Sequence, residues 1–173
     1  SGAGRAYIFH NDGSYPAGAT TADVIISGEA SSQFGNILVS DDLNADGETD
    51  LAIGASAYSS ATGRAYIFNN DGSIPTTAAT ADVIITGETT SNNFGLSMAT
   101  GDFNTDGKTD LAVGASGYSS STGRVYIFNN DGSLPTTAAT ADSMITGEAT
   151  SNSFATSLAS GDLSADGRAD LIV

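Results

Sequence analysis

The sequence predicts an all-β fold of β-propeller-type blades, each made of four antiparallel strands, and three observations predict it. A unit of about sixty residues is repeated along the 173-residue chain, with Asp42, Asp102 and Asp162 falling 60 residues apart. Each unit holds four short strand-like segments separated by turn residues. No window carries a helical hydrophobic period.

The elements can be taken in order in the unit that opens at Phe94. FGLSMATGDF alternates Phe94, Leu96 and Met98 with Gly95, Ser97 and Ala99, which predicts a first strand whose small-residue face lets another sheet approach. DLAVGAS from Asp110 is short and apolar and predicts the second strand. RVYIF from Arg124, β-branched and aromatic, predicts the third. DSMITG from Asp142 predicts the fourth, after an NNDGS stretch read as a hairpin turn at Asn69 and Asn129 and a PTTAAT connection. The same phrases return elsewhere: GRAYIFHNDGS at Gly4, GRAYIFNNDGS at Gly63 and GRVYIFNNDGS at Gly123. EASSQF is one residue shorter than ETTSNNF, and an insertion there implies a surface loop. Four antiparallel strands every sixty residues or so favour a propeller over a β-solenoid, whose coils are usually shorter.

The repeats run in permuted phase. Residues 1–33 read as a half blade of third and fourth strands, 34–93 and 94–153 as full blades, and 154–173 as a half blade of first and second strands. The halves sum to one blade, and three blades fall below the usual four to eight. Bare edges at Tyr7, Ile8 and Phe9 and at Leu171, Ile172 and Val173 are sticky β-templates. The expected partners are therefore other copies of the chain, head to tail, or flanking repeats of a longer one.

Acids outnumber bases 20 to 5 for a formal net charge of -15, which argues against nucleic acid as a partner. Without cysteine there is no disulfide, thiol nucleophile or thiolate metal site. No apolar run reaches the roughly 18 residues of a membrane span. With no initiator Met or signal pattern, the sequence reads as a mature, processed or excised piece.

Between the first and second strands of every unit lies Asp-x-Asn/Ser-x-Asp-Gly-x-x-Asp. The copies are Asp42, Asn44, Asp46 and Asp50; Asp102, Asn104, Asp106 and Asp110; and Asp162, Ser164, Asp166 and Asp170. Calcium takes six to eight oxygens, and side chains at loop positions 1, 3, 5 and 9 with one main-chain carbonyl at position 7 can converge on one ion. Position 7 is Glu48, Lys108 or Arg168, a variation expected where only the carbonyl is used. Gly47, Gly107 and Gly167 permit the sharp turn. The EF-hand reading fails, because Ile53, Val113 and Val173 stand where its bidentate Glu belongs. The bland alternative is a metal-free turn of Asp, Asn and Gly, but three carboxylates within nine residues repel one another without a cation. Up to three calcium ions are expected, with the third loop weakest because Ser164 replaces an amide oxygen.

At these residues the chain resembles a known family. Phe34-Gly35 and Phe94-Gly95, the DLNADGETDL and DFNTDGKTDL loops, and Gly54-Ala55-Ser56 and Gly114-Ala115-Ser116 are similar to the FG-GAP repeats of integrin alpha-subunit propellers and their bacterial relatives. The resemblance implies four-stranded blades, calcium in the first hairpin and an extracellular or cell-surface setting. Ser56 and Ser116 stand where the family often has Pro, the third unit reads Phe154-Ala155, and three units fall short of the family's usual seven.

Nothing else carries a catalytic signature, and no catalytic residue is assigned. His10, the only histidine, occupies a slot that is Asn69 and Asn129 in the other units, and reads as a turn-end surface residue. Arg5, Arg64 and Arg124 are expected to pair with neighbouring acids, and Tyr58 and Tyr118 to serve blade packing ahead of ligand recognition. The function expected is a non-catalytic, calcium-binding extracellular scaffold for adhesion or surface-structure and filament assembly, with a protein or glycan as a further ligand. The alternative is an accessory propeller of a larger secreted enzyme acting on lipid or polysaccharide.

Overall fold

A computed structural model gives the architecture, and the structure describes residues 2–173; Ser1, the first residue of the 1–33 segment, lies outside them. Its strands are β1 (Arg5–Ile8), β2 (Val24–Ser27), β3 (Leu38–Asp41), β4 (Asp50–Ala55), β5 (Arg64–Phe68), β6 (Val83–Thr86), β7 (Phe94–Gly101), β8 (Asp110–Ala115), β9 (Arg124–Phe128), β10 (Ser143–Thr146), β11 (Ala159–Gly161) and β12 (Asp170–Ile172). They form two four-stranded sheets, β3-β4-β5-β6 and β7-β8-β9-β10, flanked by the two-stranded sheets β1-β2 and β11-β12. All pairings are antiparallel between neighbours in sequence. These are the propeller-like blades that the repeat predicts.

The inner strands are apolar on both faces because each sheet is covered twice. Successive side chains on a strand point to opposite faces. Ile53, Ala55, Tyr66 and Phe68 therefore pack against Ala6 and Ile26 of the first half sheet. Ala52, Ala65 and Ile67, one residue out of step, pack against Leu111, Val113, Tyr126 and Phe128 of the next sheet. Ala112 and Val125 repeat the relation towards Ala155, Phe154, Leu158 and Leu171. Phe94 meets Tyr126 and Phe128 edge-on at 5.4 and 6.3 Å, and Phe34 meets Tyr66 and Phe68 at 5.5 and 6.4 Å. Such pairs contribute about 0.5–1.5 kcal/mol each beyond the area they bury.

Backbone contacts clamp one sheet to the next. Gly4 bridges Phe34, Gly63 bridges Phe94 and Gly123 bridges Phe154, each in parallel sense. Gly63 has φ +80°, and a Cβ on it would run into the Phe94 main chain. Further out, the Ser27 amide donates to the Thr76 carbonyl (2.9 Å) and the Thr86 amide to the Thr136 carbonyl (3.0 Å).

Three details depart from the sequence reading. The alternation from Phe94 is interrupted: Phe94 pairs with Ala115 but Ser97 with Gly114, so residues 95–96 bulge out where the chain meets the Gly63 segment. NNDGS is not a tight hairpin. β5 and β6 are joined by residues 69–82, with a turn at Gly72 (φ +106°) and a 3-10 turn at Ala78–Thr80, because this connection also reaches the neighbouring sheet through Thr76. The loop after β4 holds Ser59, Ser60 and Ala61 at φ +48°, +58° and +61°. This left-handed turn costs on the order of 1–2 kcal/mol per residue. The Ser60 and Ala61 carbonyls accept the Ser91 and Asn93 amides at 3.0 and 2.8 Å, and Ser119–Ser121 repeat it against Ser151 and Ser153.

Gly54 and Gly114 let the next sheet come close: a Cβ on Gly54 would strike the Gly95 carbonyl and Ile37, whereas one on Gly161 finds only Leu163 Cδ1 at 3.7 Å. Gly54→Ala is expected to lower unfolding free energy by about 1–3 kcal/mol through overpacking. Gly161→Ala is expected to stay within about 0.5 kcal/mol of the parent. Urea denaturation followed by circular dichroism reads both.

Candidate functional site

The three acidic loops lie at one end of the stack of sheets, joining β3 to β4, β7 to β8 and β11 to β12. Their hydrogen bonds recur from copy to copy. Asp42 Oδ1 and Oδ2 accept the Asp46 and Gly47 amides at 3.1 and 3.0 Å, and Asp46 Oδ1 accepts the Glu48 amide at 2.8 Å. Asp102 and Asp106 accept the amides of Asp106, Gly107 and Lys108 at 3.1, 2.8 and 2.9 Å. Asp162 and Asp166 do the same for Asp166, Gly167 and Arg168 at 3.1, 2.9 and 3.0 Å. The Asp46 and Asp106 amides are shared, donating also to Asn44 and Asn104 Oδ1, each at 2.9 Å. Ser164 supplies no such bond among the described residues.

The ninth-position carboxylate anchors the loop to the sheet. Asp50 is buried, with Oδ2 accepting the Leu43 and Asn44 amides at 2.9 and 3.1 Å and Oδ1 the Asn70 amide at 2.8 Å. Asp110 is bound in the same way by the amides of Phe103, Asn104 and Asn130. Burial pushes the Asp110 carboxyl up, against the pull of those three amides. Among the described residues Asp170 accepts only the Leu163 and Ser164 amides, at 2.8 and 3.0 Å. At the solvent side, the Glu48 amide and then the Asn44 side chain hold the Asp46 carboxyl below its usual range.

The sequence did not reveal that position 4 is left-handed, with Ala45, Thr105 and Ala165 at φ +62°, +66° and +59°. That cost of about 1–2 kcal/mol per residue is offset by the amide bonds to the Asp at position 1. Among the described residues, no group of three or more His, Asp or Glu side chains is arranged to hold a metal ion. The donor set is nonetheless all oxygen. An ionised carboxylate has about four acceptor positions, so the loop amides orient these side chains without exhausting them.

At the opposite end two of the three sequence-predicted arginines, Arg64 and Arg124, meet acids, whereas Arg5 is exposed and makes no ion pair among the described residues. Arg64 reaches Glu29 at 2.7 Å, donates through Nε to Thr86 Oγ1 and lies 3.7 Å over the Tyr58 ring; the Tyr66 hydroxyl also donates to Glu29. Arg124 repeats this with Glu88 at 3.6 Å, Thr146 and the Tyr118 ring at 3.7 Å. Tyr58 and Tyr118 are thus platforms for arginine. Glu29 and Glu88 were not singled out in sequence, although SGE and TGE recur in every unit. His10 is exposed at its turn, its amide bonded to Asp23.

Replacing Asp110 by Ala strands three amides, two of them donated from the loop itself. In chelator it is expected to cost about 3 kcal/mol. Asp170→Ala, at a half-exposed site with two amides, is expected to cost about 1 kcal/mol. Chemical denaturation of both variants checks the order.

A model of the FG-GAP repeat matches residues 34–68 and 94–128, each span running from the Phe-Gly pair through the acidic loop to the end of the third strand. Phosphatidylinositol-glycan-specific phospholipase D of Mus musculus is 34% identical over 154 residues, covering 82% of this chain and 18% of that protein. Integrin alpha-IIb of Mus musculus is 33% identical over 158 residues (84% of this chain, 15% of the integrin). Integrin alpha-7 of Homo sapiens is 37% identical over 160 (87% and 13%). The chain spans less than a fifth of the length of these relatives. With the repeat model on both four-stranded sheets and integrin alpha subunits among its relatives, the chain is an FG-GAP repeat protein that resembles integrin alpha.

Proposed function

We propose that the chain is a non-catalytic, calcium-binding propeller scaffold of the extracellular space or cell surface, serving adhesion or the assembly of a surface structure. The observation that carries this reading is the threefold recurrence of one oxygen-donor loop with the same amide bonds in each copy. Asp42, Asn44, Asp46 and Asp50 would hold one ion with the Glu48 carbonyl. Asp102, Asn104, Asp106 and Asp110 would hold a second with Lys108, and Asp162, Ser164, Asp166 and Asp170 a third with Arg168. A bound cation supplies neutralisation of three carboxylates in one short loop, which fixes the first hairpin of each blade. The integrin resemblance supports the extracellular and adhesive part of the reading. The ligand of such a scaffold is a protein or a glycan.

A second reading is supported by the phospholipase D relatives: the chain would be an accessory propeller of a larger secreted enzyme acting on lipid or polysaccharide. Sedimentation with phosphatidylinositol-containing vesicles separates the two. The scaffold reading expects the chain to stay in the supernatant with or without calcium, and calcium-dependent pelleting would favour the enzyme reading.

Extracellular sites of this type have dissociation constants of about 10⁻⁴–10⁻³ M. Millimolar calcium is therefore expected to raise Tm over that in chelator, because it binds the native state preferentially. Superimposable melts would overturn the calcium assignment. Asp106→Ala is expected to remove more of the calcium-dependent stabilisation than Asp166→Ala, since Ser164 gives its loop no amide oxygen; calorimetric titration of the two variants reads the order.

A further inference from the structure

Six Asp-Gly pairs occur along the chain, and the fold divides them into two kinds. We propose that Asp71 and Asp131, in the turns after β5 and β9, are sites of spontaneous modification, where each aspartate rearranges through a succinimide to isoaspartate. The Asp-Gly pairs of the acidic loops have the same two residues but are held out of this reaction by their hydrogen bonds. The only reactant besides the chain is solvent water, and neither calcium nor the scaffold reading is required.

The reaction needs one free nitrogen and one free carboxyl. The glycine amide nitrogen attacks Cγ of the preceding aspartate in its acid form; an N–Cγ bond forms, and the carboxyl hydroxyl leaves with the amide proton as water. Water then opens the imide ring at either carbonyl. Cleavage at Cγ returns aspartate, whereas cleavage at the main-chain carbonyl leaves the backbone running through Cβ and Cγ. Each water lost is regained, so mass and oxidation state are unchanged. Glycine obstructs the attack least, because it has no Cβ.

The structure separates the pairs by the freedom of that nitrogen. Gly47, Gly107 and Gly167 donate their amides to Asp42, Asp102 and Asp162 Oδ2 at 3.0, 2.8 and 2.9 Å. The groups under attack are held as well. Asp46 accepts the Glu48 amide and the Asn44 side chain, each at 2.8 Å, and Asp106 accepts the Lys108 amide and the Asn104 side chain at 2.9 and 3.2 Å. In the turns after β5 and β9 neither partner is held: among the described residues the Gly72 and Gly132 amides donate no hydrogen bond and the Asp71 and Asp131 carboxylates accept none. All four residues are exposed. Space does not distinguish the two kinds, since nothing lies within 4 Å of where a Cβ would stand on Gly47, Gly72, Gly107 or Gly132. Asp12-Gly13 falls between them, with the Gly13 amide on Asn11 Oδ1 at 3.3 Å. The modification would also be felt beyond the turn. Asp71 lies between Asn70, whose amide binds Asp50 at 2.8 Å, and Thr76, whose carbonyl takes the Ser27 amide at 2.9 Å. Asp131 lies in the same way between Asn130 and Thr136. Isoaspartate adds one backbone carbon between those anchors, one on the acidic loop and one on the neighbouring sheet.

Ageing the 173-residue chain in chelator at neutral pH, below its melting temperature, tests this. Digestion with a protease that cleaves before aspartate but not isoaspartate, followed by separation of the peptides of equal mass, counts conversion at each site. Asp71 and Asp131 are expected to convert about tenfold or more faster than Asp46 and Asp106, a factor equivalent to about 1.4 kcal/mol for releasing the glycine amide before attack. In urea sufficient to unfold the chain, that difference is expected to disappear, because the fold creates it. Asp42→Ala frees the Gly47 amide and is expected to raise conversion at Asp46 while leaving Asp106, the internal control for global unfolding, unchanged. Conversion at Asp46 and Asp106 as fast as at Asp71 and Asp131 in the native chain would overturn the proposal. So would the same ranking persisting in urea.

Discussion

The structure depends on how closely one sheet's backbone can approach the next. At Gly63 and Gly123 the main chain of the following unit passes where a Cβ would otherwise stand, and Gly54 and Gly114 admit the next sheet in the same way. Close approach lets the small residues of one face interleave with the aromatic face of its neighbour, so Ala52 and Ala65 lie in one cluster with Tyr126 and Phe128. It also brings the first strand's Phe across into the clamp, which forces the bulge at residues 95–96. Without the glycines the sheets would stand apart, and the apolar residues on both faces of β4, β5, β8 and β9 would have nothing to cover them.

Stacking divides the chemistry between the two ends of the sheets. One end carries the acidic loops, where carboxylates are held by amides of their own nine residues and by one amide of the turn after β5 or β9. These loops are local, so each copy forms much the same bonds even where its sheet is incomplete, as at Asp162 and Asp166. At the other end the contacts are between units: left-handed turns whose carbonyls take amides of the next connection, and arginines lying on tyrosines while paired with the preceding Glu. The first end is organised within each unit, and the second between one unit and the next.

That division explains why a strained turn persists at Ser59–Ala61 and Ser119–Ser121. Three successive left-handed residues are unfavourable in isolation. They stand here because their carbonyls are the acceptors for the next unit, so the strain is offset by a bond across the sheet interface. Stability in such an array is shared between neighbours, which is also why β10, beside the two-stranded β11-β12 sheet, is exposed along its whole length.

Much of this was legible in the sequence, because it is local. The all-β class and the positions of the inner strands follow from apolar runs such as LAVGA and VYIF between turn residues, and the acidic loops are recognisable because Asp, Asn and Gly at fixed spacing dictate their own hydrogen bonds. What the tertiary structure decided is held by partners in another unit. The pairing of Glu29 with Arg64, 35 residues away, the bulge after Phe94, the long course of residues 69–82 and the left-handed turns all answer to a neighbouring sheet. Periodicity reports which face of a strand is apolar, but it carries no record of which backbone will lie against that face. Those features are fixed only when the sheets meet.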